Sequence, residues 1–211
     1  MNRQKFHLFA SILEYPDSRV SGLVRECLGL LEPRSGETSA GLMRFLELTD
    51  RLPSGRLEEV YSGTFDLQVV CYPYVGYQLF GESYKRGAFM VALKGRYRDL
   101  GLTETADLPD HLSPVLRYLA ALDDDAECEE FVRVCLIPSL DKMTKGFRDQ
   151  ENPYREVINA LLALLHEEYP GAIAEAADPA PAEWYAYDNP EPQAAGSCAS
   201  CMPFPTTSKE G

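Results

Sequence analysis

The chain has little basic charge and no long apolar stretch. Its 211 residues include 33 Asp and Glu against 20 Lys and Arg, a formal net charge of −13. Nucleic-acid binding needs a basic face that contacts phosphates, so this balance argues against it and suits a protein that attracts a basic partner. No apolar run approaches the roughly 20 residues of a membrane-spanning helix. The first ten residues lack the apolar core of a secretory signal, and we therefore expect a cytoplasmic location.

Signatures of catalysis and of metal binding are also lacking. The three histidines, His7, His111 and His166, do not have the spacing of metal ligands. The sequence contains no Ser-centred elbow, no His-Glu metal helix and no Gly-rich phosphate loop. Carboxylates are numerous, but nothing selects a catalytic pair. The sequence therefore predicts a binding protein without enzyme activity and without a cofactor or metal of its own.

Six cysteines fall into two groups. Four lie apart in apolar contexts, which is typical of buried reduced thiols: Cys27, Cys71, Cys128 and Cys135. Cys198 and Cys201 form a CxxC that has neither a βαβ setting nor a second pair of ligands. They are weak candidates for a redox or metal site, and a protein that acts through them stays an alternative.

Apolar residues that recur every three or four positions predict an all-α protein of about eight or nine helices. The helices are expected near residues 5–15, 18–31, 38–52, 55–64, 73–80, 84–100, 112–122, 126–147 and 153–169. Pro138 should kink or split the eighth helix. The short run 69–72 has strand propensity, but the proline that follows favours a loop and then a helix.

The composition divides the chain into two parts. Residues 1–169 are expected to form one helical domain, whereas residues 170–211 are rich in Ala, Pro, Ser and acid and have no sustained periodicity. This second part is predicted to be a flexible tail that carries the CxxC. The aromatic cluster Trp184-Tyr185-Ala186-Tyr187 is the exception and is able to pin part of the tail to the body.

Four short motifs follow one another in the middle of the chain. They are Thr64-Phe65-Asp66-Leu67, Tyr77-Gln78-Leu79-Phe80-Gly81, Lys85-Arg86-Gly87 and Leu108-Pro109-Asp110-His111-Leu112. In the last motif, Asp110 lies next to a predicted helix start, where a carboxylate caps backbone N–H groups. A helix cap and a surface histidine are the plain interpretation of Asp110 and His111. The borders of a binding groove are the alternative interpretation.

This string resembles the assembly chaperones of molybdopterin-dependent reductases, most closely the nitrate reductase delta-subunit type. The resemblance is best over residues 60–120. It implies an all-helical protein that binds the leader peptide of the reductase catalytic subunit, in many cases a twin-arginine leader. It also implies that the chaperone holds this subunit during insertion of the molybdenum cofactor, before export or membrane docking. The chaperone is a monomer or a dimer and is expected to keep no cofactor.

The resemblance also implies a set of partner-binding residues. They are Phe65, Asp66, Tyr77, Phe80, Arg86, Pro109, Asp110, His111 and Leu116. An apolar groove would take the amphipathic leader as a helix, and acids at its rim would meet the basic residues of the leader. Apart from the CxxC alternative, a helical regulatory adapter without a molybdoenzyme client stays open.

Overall fold

A computed structural model describes residues 3–31, 36–53, 55–67, 70–102, 106–147 and 151–171. These residues form nine helices and no strand, which confirms the all-α prediction. The first seven are α1 (Gln4–Ile12), α2 (Val20–Leu30), α3 (Gly36–Asp50), α4 (Arg56–Phe65), α5 (Val75–Phe80), α6 (Tyr84–Asp99) and α7 (Leu112–Ala121). The eighth, α8, consists of the continuous segments Asp125–Phe131, Val132–Leu136 and Ile137–Gly146, and α9 is Pro153–Glu168.

Pro138 acts on α8 as predicted. The segment Val132–Leu136, just before the proline, is a π-helix, and α-helical geometry resumes at Ile137. Proline has no N–H to donate to a carbonyl one turn earlier, and a widened turn is one way a helix absorbs that loss. The hydroxyl of Ser139 donates to the carbonyl oxygen of Cys135 at 2.7 Å and lies 3.3 Å from that of Val75. The same side chain therefore links α8 to α5.

Two pairs of helices make the most extensive contacts in the fold. Helix α7 packs against α1, and α9 packs against α3. The approach of α9 to α3 depends on Gly41, since a Cβ at this position would lie 3.0 Å from both Ala160 Cβ and the carbonyl oxygen of Glu156. The apolar faces predicted from the 3.6-residue period thus meet in one continuous core.

The four separate cysteines, Cys27, Cys71, Cys128 and Cys135, are buried and unpaired in disulfides. Burial raises the pKa of Cys27 and of Cys71 to about 12. The prediction of buried thiols is therefore confirmed.

The predicted boundary between a domain of residues 1–169 and a tail of residues 170–211 stays a prediction. Helix α9 ends at Glu168, and the last described residue is Gly171. The aromatic cluster around Trp184 and the cysteines Cys198 and Cys201 lie outside the described residues. Within the described ranges, no helix has both the length and the apolar character needed to cross a membrane.

Candidate functional site

The motifs meet at a junction where α5 and α7 begin. Here the backbone before α5 pairs with the backbone before α7 in an isolated antiparallel bridge between Tyr74 and His111. The N–H of Val75 donates to the carbonyl oxygen of Asp110 at 2.7 Å, and the N–H of Leu112 donates to that of Pro73 at 2.8 Å. The Leu-Pro-Asp-His-Leu motif therefore ties the starts of two helices together.

An internal charge pair lies beneath this bridge. Asp110 has no exposed surface, and its Oδ2 accepts a hydrogen bond from Arg86 Nε at 2.8 Å. The guanidinium carbon of Arg86 also lies 5.3 Å from the ring centroid of Tyr74 and 5.6 Å from that of Tyr77. Burial lowers the pKa of Arg86, but the hydrogen bond and the charge of Asp110 outweigh it and leave the pKa raised. A charge pair of this kind costs desolvation and is tolerated because both partners are present.

Gly76 makes room for the pair. A Cβ at this position would lie 2.8 Å from Asp110 Oδ2 and 3.0 Å from Phe89 Cδ1. A larger residue at position 76 would have to displace the buried carboxylate or a core aromatic ring. The Gly76 backbone thus allows α5 to approach Asp110 closely.

His111 is the N-cap of α7, and this corrects the expectation that Asp110 caps the helix. Its Nδ1 accepts a hydrogen bond from the N–H of Ser113 at 3.2 Å. It is also not a surface histidine, because only 5% of it is exposed and its ring lies edge-on to Tyr74. Burial lowers the pKa of His111, and the nearby charges of Asp107, Asp110, Asp66 and Glu14 oppose this shift.

The remaining predicted residues lie mostly in the interior. Phe65 and Leu116 belong to the core, and the carbonyl oxygen of Pro109 accepts a hydrogen bond from Tyr97 at 2.7 Å. Tyr77 and Phe80 are half-buried. Asp66, at the end of α4, is the one exposed member of the set. The structure brings Tyr77, Arg86, Asp110 and His111 to one junction; whether any of the nine contacts a partner stays a prediction.

An open cleft lies beside α4. We call it the acidic cleft, and its volume is about 410 Å³. It is lined by Tyr15, Glu58, Glu59, Ser62, Gly63 and Leu67. Tyr15 is 61% exposed and Leu67 is 79% exposed. Glu58 and the neighbouring Asp66 form no ion pair with any residue that the structure describes. Glu59, the other acid of the lining, pairs with Arg56. The cleft therefore combines exposed apolar side chains with one unpaired lining acid, Glu58, and Asp66 directly precedes its Leu67.

Three acids influence both Tyr61, which contacts Tyr15 of the cleft, and His111 at the motif junction. The ring of Tyr61 lies edge-on beneath Tyr15, with the two centroids 5.5 Å apart. Burial raises the pKa of Tyr61, and the charges of Asp66, Asp107 and Glu14 raise it further. The same three acids oppose the lowering of the His111 pKa at the junction.

Tyr15 and Leu67 were missing from the predicted site. Each directly follows an acid within three residues of the end of a helix, in the pairs Glu14-Tyr15 and Asp66-Leu67. An acid and a large apolar residue together in a helix-ending turn were the available signal. Among the described residues, no group of three or more His, Cys, Asp or Glu side chains has the geometry to hold a metal ion.

Replacing Asp110 with alanine should destabilise the protein. The substitution leaves the Arg86 side chain, which is only 17% exposed, without its carboxylate partner. We expect a loss of about 3 kcal/mol in the free energy of unfolding, measured by urea denaturation. The exposed Asp66→Ala is the matched control and should change this free energy by less than about 0.5 kcal/mol. Equal stability of Asp110→Ala and the wild type would contradict the structural role of the pair.

His111 should make stability depend on pH. Its pKa is lower in the folded protein than in the unfolded chain, where it is near the ordinary histidine value of about 6.5. As pH falls below this value, the unfolded chain binds a proton that the folded protein refuses, so stability is lost. When the pH is lowered from 7.5 to 5.5, the free energy of unfolding of the wild type should fall by about 1 kcal/mol more than that of His111→Asn. The asparagine keeps a capping acceptor but does not titrate. Identical losses in urea denaturation would refute this.

Comparison with known proteins adds a family to this geometry. The family model described as "Nitrate reductase delta subunit" matches residues 31–167. That range includes α4, the motif junction and α9.

Individual relatives agree with the family match. The chain is 26% identical over 162 residues to the "Probable nitrate reductase molybdenum cofactor assembly chaperone NarJ" of Bacillus subtilis, covering 76% of this chain and 87% of that protein. It is 27% identical over 166 residues to the "Nitrate reductase molybdenum cofactor assembly chaperone NarJ" of Escherichia coli K12, covering 75% and 68%. It is also 28% identical over 116 residues to the "Nitrate reductase-like protein NarX" of Mycobacterium tuberculosis H37Rv, covering 54% and 17%. The chain thus belongs to the nitrate reductase delta subunit family.

Proposed function

We propose that this protein is an assembly chaperone that holds the catalytic subunit of a nitrate-reductase-like molybdoenzyme while the molybdenum cofactor is inserted. The family membership supports this role, as do two relatives whose names describe molybdenum cofactor assembly chaperones. The activity is binding and not catalysis. It takes place in the cytoplasm, before the client is exported or docks at the membrane.

The acidic cleft is the proposed binding site for the N-terminal leader of the client. The observation that carries this assignment is the combination of two exposed apolar side chains with uncompensated acids on one surface. A basic amphipathic helix would lay its apolar face on Tyr15 and Leu67. Its arginines would form charge-assisted hydrogen bonds with Glu58 and Asp66.

The buried motif residues support this cleft from below. Asp110 and His111 fix the junction of α5 and α7, and Asp66, beside the cleft, acts on the pKa of His111 at this junction. In this arrangement most of the nine predicted residues position the binding surface, and Asp66 is the one that meets the leader. A polar leader residue would have to break the buried charge pair before it reached Asp110.

The charges and the apolar contacts contribute differently to the binding free energy and to the rate of association. An exposed ion pair contributes about 1 kcal/mol or less, so each acid alone adds little to affinity. The net charge of −13 accelerates the encounter with a basic leader at low salt. Burial of the exposed Leu67 against an apolar leader residue is worth about 2 kcal/mol and provides the larger share.

Calorimetric titration tests the assignment. The titrant is the N-terminal peptide of a molybdoenzyme catalytic subunit from the same genome, and we expect a dissociation constant near micromolar. Leu67→Ser should weaken binding about thirtyfold, and Glu58→Gln should weaken it less. Glu129→Gln, which neutralises an exposed acid of α8 outside the cleft, is the matched control and should bind like the wild type.

A charge exchange makes this test more specific. Glu58→Arg should lower the affinity for the wild-type peptide. A peptide with one arginine changed to glutamate should bind this variant more tightly than the wild-type peptide does. Unchanged affinity in both Leu67→Ser and Glu58→Arg would remove the leader from the acidic cleft. A folded protein that binds no leader peptide at all would refute leader recognition itself.

A further inference from the structure

A second cavity shares no lining residue with the acidic cleft. It has a volume of about 1080 Å³ and lies between the first turns of α1, the end of α6, the loop 106–109 and α7. We call it the basic groove, because its lining includes Arg3, His7, Lys94, Arg98 and Arg117 against the one acid Asp107. The lining of this groove thus has an excess of basic residues, although the net charge of the chain is −13.

Two of these cations are available for a ligand. Arg3 pairs with Asp125, and Arg117 pairs with Glu14. Lys94 and Arg98 are exposed and form no ion pair with any residue in the described ranges. Two uncompensated cations at the edge of a concave surface favour an occupant with negative charge.

The rest of the lining is apolar. Leu102, Leu108, Pro114 and Ala120 contribute to it, and Leu108 is 47% exposed. A small inorganic anion would leave this apolar surface in water. The groove therefore fits an occupant that carries both acids and large apolar or aromatic groups.

The chain itself contains a segment with this chemistry. Residues 172–191 include five acids and no Lys, Arg or His. Within them, Glu183 and Asp188 flank Trp184, Tyr185 and Tyr187. Aromatic rings bury large apolar areas and accept cations on their faces, so this segment complements a groove of arginine, lysine and leucine.

The segment begins near the groove. The end of α9 lies against α1 through the ion pair of Glu168 with Lys5, two residues after Arg3 of the groove. Gly171, the last described residue, has a φ of +83°, which turns the chain. Glu183 lies twelve positions after Gly171, a reach of up to roughly 40 Å, whereas the stretch of α7 from Pro114 to Ala121 that lines the groove spans about 12 Å.

We infer that residues 183–188 of the tail occupy the basic groove of the same molecule. The rings of Trp184 and Tyr187 cover the apolar lining, while Glu183 and Asp188 pair with Lys94 and Arg98. This inference does not depend on leader binding at the acidic cleft.

The fluorescence of the full-length protein tests this directly, because Trp184 is its only tryptophan. At low salt we expect blue-shifted emission and protection from acrylamide quenching. The double substitution Lys94→Glu and Arg98→Glu should shift the emission to the red and raise the quenching constant severalfold. Lys145→Glu, a charge reversal at an exposed position of α8, is the matched control and should leave both unchanged. Circular dichroism confirms that each variant is folded.

Three results would overturn the inference. Red-shifted, freely quenched emission in the wild type would show that the tail leaves the groove empty. Blue-shifted emission that the double substitution does not alter would place Trp184 on another surface. Emission that shifts on dilution would assign the groove to the tail of a second copy. If the double variant does not fold, the wild type is measured at high salt instead, because salt screens ion pairs. Acrylamide quenching of Trp184 should then increase, and quenching that does not depend on salt would contradict the pairing.

Discussion

The charge pair of Arg86 and Asp110 is the constraint on which the motif junction depends. Asp110 is fully buried, so its carboxylate needs a partner, and α6 provides it across 24 positions of sequence. The pair leaves space for α5 only because Gly76 has no side chain. With α5 in place, the bridge between Tyr74 and His111 forms and the histidine caps α7. One internal ion pair thereby sets the relative positions of three helices.

Surfaces of opposite charge lie on the two sides of this arrangement. The acidic cleft is on the α4 side, and the basic groove is on the side of α6 and α7. The ion pair of Glu14 with Arg117 joins the two, because Glu14 acts on Tyr61 beneath the cleft and Arg117 lines the groove. A chaperone with separate acidic and basic surfaces is able to hold two different segments of a client, or one segment of a client and one of itself.

The helices were predictable because periodicity and breakers are local properties. Pro138 was expected to disturb α8, and Gly81 ends α5 with the positive φ that glycine tolerates. The site was harder to predict. Arg86 lies on a helix with a basic outer face, and only the packing of the α7 motif against it shows that the side chain turns inward. Asp110 was expected to be a helix cap because it lies next to the start of α7, but His111 takes that role. Tyr15 and Leu67 lie in turns, where no period distinguishes an exposed apolar residue from a buried one.

The most direct measurement is photo-crosslinking of the leader to the full-length protein. A leader peptide with a benzophenone on its apolar face would be irradiated with the protein, and the attachment sites would be located by mass spectrometry. We expect attachment at Tyr15, Leu67 and the exposed side of α4, and competition by unlabelled leader. Attachment in the basic groove or on α9, with none beside α4, would contradict binding at the acidic cleft.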